Sequence, residues 1–285
     1  MQLTGQRISA VIVARNEEKR IGNALSSLAG WVDEIVFFDM DSNDGTVAIA
    51  KQFGAKIFHI EQMGGQEPAR PIAILKATGD WVVMLDADEL ISPTLRDRLL
   101  RVVQRDEADV VNMPRQNFLF GKFMTGAMMG PNDDRQIRFF KNGHVEISPL
   151  LHAHPSVNPG SRFLQLTYPQ DGAIVHFNYV NISHYLTKLD RYTGMEANKP
   201  KNLQSYSLMH AILRAGYEFL NRFFRFGGYR DGWRGLYISL TMSFYRMTIW
   251  AKRLEQLEVG SAKDIEEIYA RVVGETIAEE QIKVE

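Results

Sequence analysis

The stretch Trp81-Val82-Val83-Met84-Leu85-Asp86-Ala87-Asp88-Glu89 decides the reading of this chain. An apolar run ends abruptly in two carboxylates one residue apart, with a third beside them. A buried strand that presents Asp-x-Asp at its C-terminal end can hold a hard divalent cation. Such a cation keeps part of its coordination shell for phosphate oxygens. An Asp-x-Asp after a strand is also common as plain loop and cap chemistry, so its surroundings must decide.

Outward from that strand the chain alternates. Ile8–Ala14, Glu34–Phe38 and Lys56–Ile60 read as strands. Glu17–Leu28, Thr46–Phe53 and Ala69–Ala77 carry helical spacing. Ser92-Pro93 supplies an N-cap and a first-turn proline for a helix through Gln104. This alternation predicts a mostly parallel α/β sheet flanked by helices. Ligands of such sheets bind outside the carboxyl ends of the strands. Asn16 and Glu17, Asp39–Asp44 and Asp86–Glu89 all fall there. Asp109–Leu166 reads as mixed strands and loops completing the sheet, and the pattern is helical from Asn181 onward.

The 285 residues, 45% hydrophobic and 24% charged, suit a soluble globular chain. A net charge of −1 gives no case for nucleic-acid binding. The absence of cysteine removes disulfides and thiolate metal sites, and fits a cytoplasmic setting. No signal peptide is expected, since Ile8–Ala14 runs into Arg15 and two glutamates. No apolar run reaches the roughly 20 residues of a membrane span. The charge is uneven: Tyr206–Arg253 has seven Arg and one Lys against Glu218 and Asp231, net +6, whereas Leu254–Glu285 is net −6.

A nucleotide diphosphate needs a base contact, a ribose contact and neutralisation of its phosphates. Asp39 could accept from a base imide, and Glu17 could reach a ribose hydroxyl. Asp86 and Asp88 could hold Mg²⁺ or Mn²⁺, with Arg70 adding charge beside the same diphosphate. Asp44-Gly45-Thr46 reads mainly as a turn and helix start.

The blocks Ser9–Glu18, Phe38–Thr46 and Gly79–Glu89 together resemble the three signature blocks of family 2 glycosyltransferases, nearest to bacterial lipopolysaccharide-core glucosyltransferases. The resemblance implies a GT-A (Rossmann-like) fold, a nucleotide-sugar donor (a UDP-sugar preferred), a divalent metal and inversion at the anomeric carbon. By motif position Asp39 would bind the base. Ala14, Asn16 and Glu17 would line the nucleotide and ribose side, Asp86 would stand beside ribose and phosphates, and Asp88 would hold the metal. Pro71 stands where relatives often carry Asn, and Leu151-His152-Ala153 lacks the glutamate of a Val-His-Glu triplet.

Inverting transfer needs one general base for the acceptor hydroxyl. Asp134, in an Asp-Arg-Gln-x-Arg block that relatives place on the acceptor side, is the first candidate. Asp133, Glu146 and His152 are fallbacks, and a salt bridge from Asp134 to Arg138 is the plain structural alternative. His152 and His154 would share one face of a strand, where His152 could complete the metal shell or the pair could simply pack.

The expected organisation is a catalytic domain over residues 1–200 and a helical C-terminal region over 201–285. Within the first, 1–105 form the nucleotide-sugar half and 106–200 the acceptor half. Tyr206–Phe226 and Trp233–Trp250 are basic, aromatic helices broken at Gly227-Gly228, followed by an acidic solvated tail. Such helices can lie on an anionic membrane, pack on the catalytic domain, or form a homo-oligomer interface. The corresponding expectation is a peripheral enzyme on the inner face of the cytoplasmic membrane, acting on a saccharide or lipid-linked acceptor. The alternatives are a polyprenyl-phosphate sugar transferase and a non-catalytic assembly partner that keeps the fold.

Overall fold

The computed structural model describes residues 5–63, 65–150, 154–199 and 207–282, with side chains to residue 277. Four strands, β1 (Ile8–Ala14), β2 (Glu34–Asp39), β3 (Lys56–His59) and β4 (Trp81–Met84), form the parallel part of the sheet. Every residue of β1, β2 and β4 is buried, as near-continuous apolar runs covered on both faces must be. The two-residue period sorts them. Ile8, Ala10 and Ile12 face α1 (Ile21–Leu28) and α4 (Pro93–Arg105), whereas Val11 and Val13 face α3 (Arg70–Ile74). The remaining helix of this half, α2 (Thr46–Gln52), follows β2.

The sheet continues with β5 (Glu89–Ile91), β6 (Val110–Leu119), β8 (Arg135–Lys141) and β12 (Ile174–Tyr179) in the order β3-β2-β1-β4-β8-β6-β12-β5. β8 runs antiparallel between β4 and β6, and β12 runs parallel to β6. The short strands β7 (Lys122–Phe123) and β11 (Phe163–Gln165) pair with β6, while β9 (Val145–Glu146) and β10 (Ser156–Val157) make a separate ribbon. This is the α/β architecture of GT-A type that the sequence resemblance implies, with a helical C-terminal region.

Two helices are shorter than their periodicity suggests. Glu17–Arg20 form a turn rather than a helical start, because the Glu17 amide donates sideways to Thr46 Oγ1 at 2.7 Å. α3 stops at Ile74, where Lys76 and Ala77 donate to carbonyls three residues back, tightening the exit towards Gly79. The Ser92 cap forms as expected, its hydroxyl accepting from the Leu95 amide at 3.3 Å.

After β12 come α5 (Ile182–Ala197), α6 (Leu208–Leu220), α7 (Trp233–Leu254) and α8 (Ala262–Ile282). The break falls at the expected glycines, with Gly227 in the left-handed region at φ 62°. One face of the α6–α7 pair is packed on the sheet domain. The Asp231 carboxylate accepts from the Thr125 amide (3.0 Å), the Thr125 hydroxyl (2.9 Å) and the Gly126 amide (2.8 Å). Arg222 donates to the Ala127 carbonyl at 2.8 Å and Arg234 to that of Phe120 at 2.9 Å. A small apolar cluster of Leu119, Met124, Tyr185, Ile238 and Ile249 seals the contact. The opposite face leaves Leu213, Tyr217, Phe224, Leu240 and Phe244 exposed. α8 is exposed along its described side chains apart from half-buried Ile265, as the acidic tail suggested. Among the described residues no helix is long and apolar enough to cross a membrane.

Candidate active site

The carboxyl ends of β1, β2 and β4 meet at a cavity of about 780 Å³. Two loops form its first wall and are laced to each other. Asn16, in the left-handed region at φ 54°, donates its amide to Ser42 Oγ and accepts from the Asn43 amide on Oδ1, both at 2.9 Å. Asn16 and Glu17 line the cavity. Burial raises the Glu17 carboxyl above its ordinary range, against the pull of Arg20 at 3.1 Å. Ala14 is fully buried in β1 and its carbonyl accepts from the Met40 amide at 3.0 Å. Asp39 lies just behind the wall, and Met40 is the residue that faces the cavity. The Asp39 carboxylate accepts from the Ser42 amide at 3.2 Å and stands 3.2 Å from His59 Nδ1.

β4 delivers the acidic pair, and its members differ sharply. Asp86 is committed within the protein: Arg70 reaches Oδ1 at 2.6 Å and Arg138 reaches Oδ2 at 2.8 Å. Burial alone would raise its pKa, but Arg138 and then Arg70 hold it well below the carboxylate range. Fully buried Glu89 closes the turn, accepting from the Asp86 amide at 3.0 Å and from Arg115 at 3.2 Å. Asp88 faces the cavity without an Arg or Lys ion pair among the described residues. Its nearest charged partner is His176 Nε2, 3.7 Å from Oδ2. Burial would raise Asp88 as well, but the contact with His176 outweighs it and lowers the carboxyl.

His176 is brought there by β12. That strand pairs antiparallel with β5, opposing His176 to Glu89, and the Phe177 amide donates to the Asp88 carbonyl at 2.9 Å. Behind the imidazole, Asn117 Oδ1 lies 2.7 Å from His176 Nδ1, and Asn117 Nδ2 donates to Asp134 at 2.7 Å. Asp134 lines the cavity, but its ion pair is with Arg115, at 2.8 Å, and not with Arg138. Gln136 Nε2 donates to the same carboxylate at 2.9 Å. Asp133 does not line the cavity, and burial raises its pKa.

The remaining positions divide. His152 lies outside the described residues. His154 lines the cavity from a loop ahead of β10, so no strand carries that histidine. Glu146, on β9, is exposed and outside the cavity lining. Lys188, Arg191 and Tyr192 of α5, together with Arg222 beyond α6, complete the wall. Sequence reading missed these residues and also His176, Asn117 and Arg115. A lone histidine in Ile174-Val-His-Phe-Asn-Tyr179 carries no local signal; strand pairing alone brings it to Asp88.

A family model described as glycosyl transferase family 2 matches residues 9–152, just over half of the chain. The chain belongs to glycosyl transferase family 2. It is 26% identical to an uncharacterized glycosyltransferase of Rickettsia felis, over 88% of this chain and 91% of that one. It is also 26% identical to the lipopolysaccharide core biosynthesis glycosyltransferase LpsC of Rhizobium meliloti, over 86% and 91% of the two chains. Among solved structures it is similar to glucosyl-3-phosphoglycerate synthase from Mycobacterium tuberculosis in complex with Mn²⁺ and UDP-glucose. That likeness has 25% identity and a TM-score of 0.33, and covers 41% of this chain and 45% of that protein, less than half its length. The matched segment, 9–152, contains the β1, β2 and β4 loops that line this cavity.

Among the described residues no three acidic, His or Cys side chains are grouped closely enough to hold a metal. The donor chemistry nevertheless fits a hard divalent ion of the Mg²⁺ or Mn²⁺ type. Asp88 offers an anionic oxygen and His176 a ring nitrogen beside it. Ions of this kind are held by one or two carboxylates while substrate phosphates and water complete the shell. Asp86, with both oxygens given to arginines, fits the role of shaping the loop better than that of first donor.

Proposed function

We propose that this enzyme is an inverting, metal-dependent glycosyltransferase that moves a sugar from a nucleotide-diphosphate sugar, a UDP-sugar by preference, to a saccharide hydroxyl. The acceptor is a glycan or lipid-linked saccharide of bacterial envelope polysaccharide or lipopolysaccharide synthesis. The observation that carries this reading is the asymmetry of the acidic pair: both line the cavity, but Asp86 is neutralised by two arginines, whereas Asp88 has only His176 beside it. Residues 1–200 would hold donor and acceptor, and 201–285 would close one side of the cavity through Arg222.

The nucleotide would lie across the ends of β1 and β2. Asn16 and Glu17 meet the ribose side, with Ala14 supporting their turn. Asp39 accepts from the base, which requires the Met40 side chain to yield. Asp88 and His176 would hold Mg²⁺ or Mn²⁺, which neutralises charge on the departing diphosphate. Arg70 is tied to Asp86, so it acts by fixing that loop and by adding positive potential to the phosphate side. The acceptor oxygen attacks the anomeric carbon from the face opposite the diphosphate. The bond to the phosphate oxygen breaks, its electron pair leaves with the diphosphate, and the hydroxyl proton passes to a carboxylate.

Asp134 is the proposed base, because it lines the cavity and Asp133 does not. To take a proton it must release part of its bonding to Arg115, Asn117 and Gln136, which the incoming hydroxyl would replace. Arg214 of α6 and Arg225 and Arg230 of the segment joining α6 to α7 are exposed, as are apolar side chains of both helices, which supports peripheral contact with an anionic inner membrane surface. That placement would make lipid-linked acceptors reachable.

The test is a thermal-shift screen of nucleotide sugars with and without Mn²⁺. One donor should stabilise the protein in a metal-dependent way. Asp88→Ala should abolish the metal dependence while the fold survives, and Asp134→Asn should keep donor binding but lose transfer. An Asp88→Ala enzyme with unchanged metal response sinks the assignment.

A further inference from the structure

The arginines nearest the acidic pair are already spent. Arg70 and Arg138 are paired with Asp86, Arg115 with Asp134 and Glu89, and Arg222 with Glu218 at 2.6 Å. The cavity-wall cations without a carboxylate partner among the described residues are Arg15, which donates to the Asp41 carbonyl at 3.4 Å, and two residues of α5. Lys188 and Arg191 stand three residues apart, on neighbouring turns of one helix face, and both line the cavity. Neither has a carboxylate at ion-pair distance among the described residues. The Lys188 ammonium lies 5.4 Å over the Tyr179 ring, and the Arg191 guanidinium 5.0 Å over that of Tyr192. Lys188 is half-buried, and its charge reaches Glu17, Asp88 and His184; burial first, then Lys188, depresses the His184 imidazole. Two cations held over aromatic faces and aimed into a concave site want an anion that enters from solution.

We propose that Lys188 and Arg191 form a phosphate-binding subsite on α5, taking either the diphosphate of the donor or a phosphate group carried by the acceptor. The inference rests on the nucleotide-sugar reading only for the first of these sources. Lys188, within electrostatic reach of both Glu17 and Asp88, bridges the ribose and metal ends of the cavity. Arg191, further along the helix, is exposed and lines the same cavity.

The probe is inorganic pyrophosphate, titrated calorimetrically into the full chain without divalent cation, so that the two cations and not Asp88 are read. Lys188→Gln and Arg191→Gln should each weaken binding about tenfold, the worth of one charge-assisted hydrogen bond. Lys188→Arg should restore most of the loss, and thermal denaturation controls for folding. A repeat in Mg²⁺ with saturating UDP separates the sources. Exclusion of pyrophosphate by UDP assigns the subsite to the donor diphosphate, and persistent binding assigns it to an acceptor phosphate. Equal pyrophosphate binding by the wild type and the double variant, or none by the wild type, overturns the proposal. If the wild type binds pyrophosphate but not UDP, the nucleotide-sugar reading fails while the subsite stands.

Discussion

Asn117 uses both ends of its amide. Nδ2 donates to Asp134 at 2.7 Å and to the Met129 carbonyl at 3.0 Å, so Oδ1 must face His176 Nδ1 at 2.7 Å. An amide oxygen can only accept, which places an imidazole proton on Nδ1 and leaves Nε2 to meet Asp88 as a donor or, with a cation bound between them, to ligate that cation. A ring nitrogen held in this way is prepared to ligate a cation, and a supporting partner of this kind is typically worth about 10–100-fold in metal affinity. Asn117→Ala should therefore weaken Mn²⁺ binding by that order, read by Mn²⁺ titration followed by electron paramagnetic resonance. An unchanged Mn²⁺ affinity in a folded variant would show that His176 is not a ligand. The same chain gives Asp134 a second task beside the proposed proton transfer, since its carboxylate orients the amide.

At the scale of elements, the C-terminal helices are attached to the sheet domain at specific contacts. Gly126 has no room for a side chain: a Cβ there would stand 2.3 Å from the Gly227 carbonyl oxygen. The same segment donates two backbone amides to the buried Asp231 carboxylate. Gly126→Ala must push the turn at Gly227 away and strain those bonds. Its expected result is faster proteolysis between residues 200 and 235 and at least a tenfold loss of transferase activity, with the sheet domain still folded by circular dichroism; tenfold corresponds to about 1.4 kcal/mol, modest beside the typical cost of overpacking. Wild-type proteolysis and activity in this variant would show that α6 and α7 are dispensable to the catalytic face. α5 stands differently, since it follows β12 directly and is capped by Asn181, whose side chain accepts from the His184 amide at 2.8 Å.

At the scale of the molecule, a near-neutral chain conceals a polarised one. Of the net +6 of Tyr206–Arg253, Arg222 and Arg253 are buried, whereas Arg214, Arg225 and Arg230 are exposed in the same region as Leu213, Tyr217, Phe224, Leu240 and Phe244. The compensating acids begin at Glu255 and continue through α8, and those with described side chains are exposed. A surface with both apolar anchors and cations suits an anionic bilayer, where each Lys or Arg near the surface contributes about 1 kcal/mol and salt weakens the attraction. Flotation with phosphatidylglycerol vesicles at low salt should carry the full chain upward. Arg214→Glu with Arg225→Glu should reduce binding by at least tenfold, while zwitterionic vesicles should bind weakly. Failure to float with anionic vesicles at low salt would leave the outer face without a membrane role.

The strand–helix alternation of the first hundred residues, the buried β1, β2 and β4, and the loops bearing Asn16, Glu17, Asp86 and Asp88 were legible in sequence. The reason is local: apolar period, caps and turn residues act within a few positions of the side chains they place. Tertiary structure decided the partners. It set Asp134 against Arg115 rather than Arg138, because β6 and β8 pair antiparallel and bring Pro114 opposite Arg135. It paired Asp86 with two arginines distant in sequence and left Asp88 without one, although both carboxylates line the cavity. It brought His176 beside Asp88 through the pairing of β12 with β5, and put α5 on the wall of the cavity that the β1 and β4 loops line. These are contacts between residues up to about ninety positions apart, created by sheet order and helix docking, for which the one-dimensional pattern carries no period.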